Sequence, residues 1–188
     1  MKATQGSGSP QDEVASGARP AAATVSAQGL RKKAMDLLAR REHTAAELRR
    51  KLQAYGRKQQ DKSYGAEAET DTAADDIAEM TARVIASLQA EGLVSDERFT
   101  EAYVRYRMTR GYGPQRIQAE LRERGVDDKI QSHYLDTGDS QWLEQVAQVR
   151  CKRFGEVLPD DYKERARQAR FLQYRGFTAD QIREVLDG

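Results

Sequence analysis

Three short windows of the chain carry one pattern at long spacing, and this recurrence limits the fold more than any other feature. The windows are Arg41 to Leu52 (REHTAAELRRKL), Arg110 to Leu121 (RGYGPQRIQAEL) and Arg175 to Leu186 (RGFTADQIREVL). Each begins with Arg, sets a ring at its third position (His43, Tyr112, Phe177), starts a helix, and then places Leu or Ile four residues before a final Leu. The offsets are 69 and 65 residues, and at 65 the match extends backwards, pairing Asp96 with Asp161, Arg105 with Arg170 and Tyr106 with Phe171. Such a chain is expected to fold as a row of like units, each too small to bury its apolar face alone.

The helix starts are chemically explicit. Thr44 with Glu47 and Thr178 with Gln181 read as capping boxes, in which hydroxyl and acid or amide satisfy free amides reciprocally. Gly113-Pro114 serves the same end, with Gly tolerated at the cap and Pro pre-set for the first helical position. Gly56 and Gly125 each follow the window's last Leu by four residues, where a left-handed cap would stop the helix. Ahead of the second window, Phe99, Ala102, Tyr103 and Tyr106 recur at helical spacing as a core stripe facing Ile117 and Leu121. Val84, Ile85 and Leu88 mark a preceding helix of that unit, and Trp142, Val146, Val149 and Cys151 its counterpart in the third.

The expected fold is all-α: tandem three-helix repeats forming an elongated array, with a curved array carrying its arginines on the concave side as the arrangement suited to a filament. The expected boundaries are a disordered tail over 1–29, a first and incomplete repeat over 30–56, an acidic inserted loop over 57–76, a second repeat over 77–135 and a third over 136–188. The tail is nearly without large apolar side chains, so it cannot offset its ordering entropy. With 38% hydrophobic residues and a mean hydropathy of -0.84, three small cores laid end to end are more natural than one large core.

Composition narrows the chemistry. A lone cysteine, Cys151, excludes an intrachain disulfide framework, and no apolar stretch is long enough for a signal or a membrane span, so a cytoplasmic protein is expected. His43 and His133 are the two histidines; His43 stands at the ring position of its window and His133 lacks any zinc-ligand spacing. Gly111 to Gly113 lacks the preceding strand of a phosphate loop. No catalytic centre, metal site or cofactor is expected. Nothing sustains a long heptad seam, so a monomer is expected.

Charge says more. The formal net charge is +1, yet residues 30–56 hold eight basic groups against three acidic, 98–124 seven against three, and 150–175 eight against four. The segment 57–76 reverses this, with three basic and six acidic. Each repeat therefore carries a basic block, rich in arginine, whose planar fork suits phosphates and carboxylates alike. The candidate contact residues are Arg98, Arg105, Arg110, Arg116, Arg122, Arg170 and Arg175.

The run Glu91-Gly-Leu-Val-Ser-Asp-Glu-Arg-Phe-Thr100, followed by Arg110-Gly-Tyr-Gly113 and then Ile117, Leu121 and Gly125, resembles the signature of the RecX recombination regulators. The third unit departs from it, with Asp161-Tyr-Lys-Glu164 where the signature has Asp-x-Arg-Phe. The resemblance runs from about Leu30 to the C-terminus. It implies a protein without catalytic activity that binds the RecA filament on DNA and inhibits its recombinase and co-protease activities, modulating recombination and repair. Contact with single- and double-stranded DNA would be weak and indifferent to sequence. The alternative is a helix-turn-helix transcription regulator reading bases with Gln115, Arg116, Gln118 and Arg122, and a third class is an adaptor whose basic blocks meet an acidic protein.

Overall fold

Helices begin where the sequence supplies a cap. The computed structural model describes residues 25–64, 71–138 and 140–187, without the side chains of 63–64 and 71–73. In α1 (Ala27–Leu38) the Ser26 hydroxyl accepts from Gly29 N at 3.1 Å. The later helices are α2 (Ala45–Tyr64), α3 (Asp71–Ala90), α4 (Asp96–Thr109), α5 (Pro114–Glu123), α6 (Asp128–Tyr134), α7 (Gln141–Phe154), α8 (Tyr162–Arg175) and α9 (Ala179–Asp187), and no strand occurs among the described residues. Ser95, Asp127 and Asp161 cap α4, α6 and α8 through their side chains, and Pro114 opens α5. At α9 the capping box is complete: Gln181 N donates to Thr178 Oγ1 at 3.2 Å and Thr178 N to Gln181 Oε1 at 2.9 Å.

Two expected boundaries are corrected. The tail expected over 1–29 overruns into α1, since Ser26 is already a cap and Leu30 is fully buried; residues 1–24 lie outside the described residues. The loop expected over 57–76 is largely helix, because α2 runs on to Tyr64 and α3 starts at Asp71; 65–70 lie outside the described residues. Residues 57–64 carry Arg, Lys and Gln, which favour helix, and Ala74 and Ala78 do the same early in α3. Gly56 does not cap α2. It lets α3 cross closely, since a Cβ there would lie 2.7 Å from Ile77 Cγ2.

The expected membership of the units also changes. The sequence places Val84, Ile85 and Leu88 of α3 in the second unit, but they share a buried cluster with Leu30, Ala34, Leu48 and Leu52 of α1 and α2. The first unit is therefore a complete trio, α1 to α3. The others are α4 to α6 and α7 to α9. In place of three small cores the described residues form two, because Phe99, Ile117 and Leu121 of the second trio and Trp142, Val146, Leu172 and Phe177 of the third share one cluster. Tyr106 is not on the core stripe: it is 51% exposed, and α4 buries Phe99, Thr100 and Val104 instead.

Candidate functional site

The two joints between trios follow one plan, in which the start of a second helix meets the end of the next trio's second helix. At the first joint the Thr44 hydroxyl accepts from Glu47 N at 3.0 Å and donates to Arg124 O, at the end of α5, at 2.7 Å. Ala45 N, free at the start of α2, donates to Asp96 Oδ1 at 2.8 Å. Gly125, at φ +75°, packs on Ala46. At the second joint Gly113 N donates to Arg175 O at 2.9 Å and Gln115 N to Gly176 O at 3.0 Å. Gly176, at φ +92°, packs on Arg116. At the second joint the open amides of a helix start are thus satisfied directly by the open carbonyls of a helix end, whereas at the first the Thr44 hydroxyl and the Asp96 carboxylate stand between them.

A ladder of acids, guanidiniums and rings lines both joints. Glu47 binds Arg41 at 3.0 Å and also pairs with Arg124, so it does not reach back to Thr44 N as the expected capping box required. Arg124 lies 4.8 Å from the Tyr103 ring, and the Tyr103 hydroxyl donates to Glu120 at 2.9 Å. Glu120 also pairs with Arg107 and, at 3.3 Å, Arg116. The Tyr112 ring then meets three guanidiniums, those of Arg107 at 3.7 Å, Arg116 at 4.7 Å and Arg175 at 5.3 Å. Each such contact adds about 0.5–2 kcal/mol, more where water is excluded.

Electrostatics follow this wiring. Burial pushes the Glu47 carboxyl up, but the Arg41 and Arg124 guanidiniums outweigh it and hold the group below the usual carboxylate range. Glu120 behaves alike, with burial opposed successfully by Tyr103, Arg107 and Arg116. Burial lowers the His43 ring below the usual histidine value, against the pull of the Arg41 carbonyl 2.9 Å from Nδ1.

The seven expected contact arginines do not share one face with one role. Arg98 lays its fork on Glu42 at 2.8 and 3.2 Å and reaches Gly92 O at 3.0 Å, tying trio two to trio one. Arg116 is held by Glu120 and by Tyr174 O at 3.3 Å, and Arg175 by Arg110 O at 3.0 Å. Arg105 and Arg122 are exposed and paired with Glu101 and Asp128. Arg110 is exposed beside the Tyr106 ring, and Arg170 is exposed, its side chain without an ion pair among the described residues. Arg110 and Arg175, matched in the windows, stand at different places: one precedes its trio's second helix, the other ends one. The residues missed were Arg107, Arg124 and Glu120. A second recurrence would have found the joints, since Leu121, Arg124, Gly125 and Val126 recur 51 residues on as Leu172, Arg175, Gly176 and Phe177.

Comparison with known proteins identifies the family. The model of the "RecX, second three-helix domain" matches residues 95–135, and that of the "RecX, third three-helix domain" matches 139–186. "Regulatory protein RecX" of Halorhodospira halophila is 42% identical over 161 residues, covering 86% of this chain and 88% of that protein. The chain belongs to the RecX family. The RecX protein of Pseudomonas syringae pv. tomato is 41% identical over 159 residues, covering 85% and 90% of the two chains. The crystal structure of RecX from Lactobacillus salivarius superposes with a TM-score of 0.64 at 20% identity, over 86% of this chain and 94% of that one, and supports the fold. The relatives are named regulatory proteins rather than enzymes. Among the described residues, no helix is long and apolar enough to cross a membrane.

Proposed function

We propose that this RecX-family chain binds a RecA-type recombinase filament on DNA and suppresses its strand-exchange and co-protease activities, acting as a cytoplasmic monomer. Beyond family membership, one observation favours this over the transcription-factor reading: the starts of α2 and α5 are covered. A helix-turn-helix reader presents the first residues of its second helix to base edges in the major groove. In this chain Gly113 and Pro114 are buried, Gln115 N is bonded to Gly176 O, and Arg116 is turned onto Glu120 and the Tyr174 carbonyl. Seating the start of α5 in a major groove would require the second joint to open, although the Gln115 and Arg122 side chains are themselves exposed. Units held in fixed order instead suit a long partner that offers several contacts at once, each of them weak. DNA in the filament would be met through its phosphates, with affinity that falls as salt rises.

The test is a strand-exchange or filament-ATPase assay with purified protein added well below the recombinase concentration. Inhibition that deepens with added protein is expected. No inhibition at any ratio, together with tight, salt-resistant binding to one duplex sequence, would overturn the proposal in favour of transcriptional control.

A further inference from the structure

We propose that the cleft between α4 and α7 is a seat for single-stranded nucleic acid, with Lys152, Arg153 and Arg110 holding its phosphates. This rests on the reading that the chain works on a DNA-bound filament, and it says where and in what form the nucleic acid is met.

The cleft consists of two depressions of about 580 and 380 Å³ that share Thr109, Gln145 and Gln148. The end nearer α8 is lined by Arg110, Lys152, Arg153 and Arg175 and by no carboxylate. The other end holds one acid, Glu101, which is paired with Arg105 at 2.6 Å. The charge here differs from that of the arginines paired elsewhere. Arg98, Arg107, Arg116, Arg122 and Arg124 each have a carboxylate within 4 Å, whereas among the described residues Arg110, Lys152, Arg153 and Arg175 have none. Four cations without a neutralising partner around one cleft make a local positive field that the net charge of +1 conceals.

The wall and rim specify the occupant further. Gln141, Gln145 and Gln148 recur at i, i+4 and i+7, so α7 turns one row of amides into the cleft, and Gln145 Nε2 is anchored on Met108 O at 2.8 Å. Amides both donate and accept, which matches base edges better than the acceptor-only carboxylates of an acidic peptide. Tyr134 lines the cleft, and the exposed Tyr106 ring lies under the guanidinium of Arg110, itself a lining residue, at 5.2 Å, a ready stacking platform. Reading bases within a duplex takes a helix or β-ribbon that enters a groove. This surface is concave, and a basic groove with a ring at its edge is how single strands are held.

The experiment measures binding of fluorescent oligothymidylate to the full chain by anisotropy, without recombinase present. Lys152 and Arg153 are both exposed and outside the joints, so K152E/R153E is expected to melt as wild type while binding roughly tenfold or more weakly, with a salt slope shallower by about 1.4 for two lost phosphate contacts. The milder K152Q/R153Q should lose affinity in the same direction. R49E/K51E removes the same charge from an exposed stretch of α2 and should weaken binding less. The proposal is overturned if K152E/R153E binds as wild type, if R49E/K51E loses as much, or if polyglutamate or duplex displaces the oligonucleotide as well as a second single strand does. Filament inhibition by the wild-type chain is scored separately. A wild type that inhibits, with a cleft variant that still binds the oligonucleotide, sinks the cleft and leaves the regulatory reading standing.

Discussion

Glu47 sits where arginines of two trios meet, and it shows how much one carboxylate can carry. It is 7% exposed and holds both Arg41 and Arg124, while Arg124 in turn faces the Tyr103 ring. Replacing it by Gln keeps the shape and removes the charge, leaving the half-buried Arg124 guanidinium without its anion. The expected loss is about 1–3 kcal/mol, discounted for the solvent that still reaches both arginines. For a chain of this length each kcal/mol lowers the melting temperature by about 2–4 °C. The pH dependence has a definite sign. Because the folded carboxyl titrates below the unfolded value of about 4.3, its contribution is present above that pH and is lost as pH falls through the folded value. The gap in melting temperature between wild type and E47Q should therefore be constant near neutrality and close in acid. A gap that persists unchanged to pH 3 would show that the charge is not what holds the joint.

At the scale of elements, the glycines separate turns that are merely left-handed from turns that are also interfaces. Gly92 has φ +70° and open space around it, so Gly92→Ala should cost only the left-handed backbone strain, about 1–2 kcal/mol. Gly176 has φ +92° and its Cβ would collide with the backbone and Cβ of Arg116, so Gly176→Ala should cost clearly more, about 3 kcal/mol or above, by prising α8 from α5. Chemical denaturation of the two variants decides this; equal losses would mean that the second joint yields freely. The sequence made the caps at Thr44, Pro114 and Thr178 legible because capping is local chemistry, two or three residues long. It did not show that Thr44 and Glu47 are shared with Arg124, eighty residues away, because a cap's second partner leaves no mark nearby. The windows aligned α9 with α5 on real similarity of turn and helix. The spatial match of α8 with α5 rests on the shorter signal around Arg124-Gly125 and Arg175-Gly176. For the same reason the arginines stood out as a group, while their division into joint-forming and unpaired members depended on which carboxylates the fold brings within reach.

In the whole molecule the two joints differ in what lies beneath them. The second is underlain by a continuous apolar cluster from Phe99 to Leu186, whereas the buried cluster of the first trio is separate and ends at Val94. The first joint is held chiefly by polar contacts, from Thr44 to Arg124, Ala45 to Asp96, Glu42 to Arg98 and Glu47 to Arg124. Hydrophobic burial dominates cooperative stability, so trios two and three should open as one unit and trio one as another. A fragment of residues 95–188 should accordingly remain helical and melt in one cooperative step, while native-state exchange of the full chain should give Ile117, Leu121, Val146 and Leu172 one common opening energy and Leu48, Leu52 and Ile85 a different one. High salt should narrow the coupling between the two sets, because the first joint depends on ion pairs that salt screens. A single opening energy across all these amides, unmoved by salt, would show instead that the polar joint binds the first trio as tightly as the shared core binds the other two.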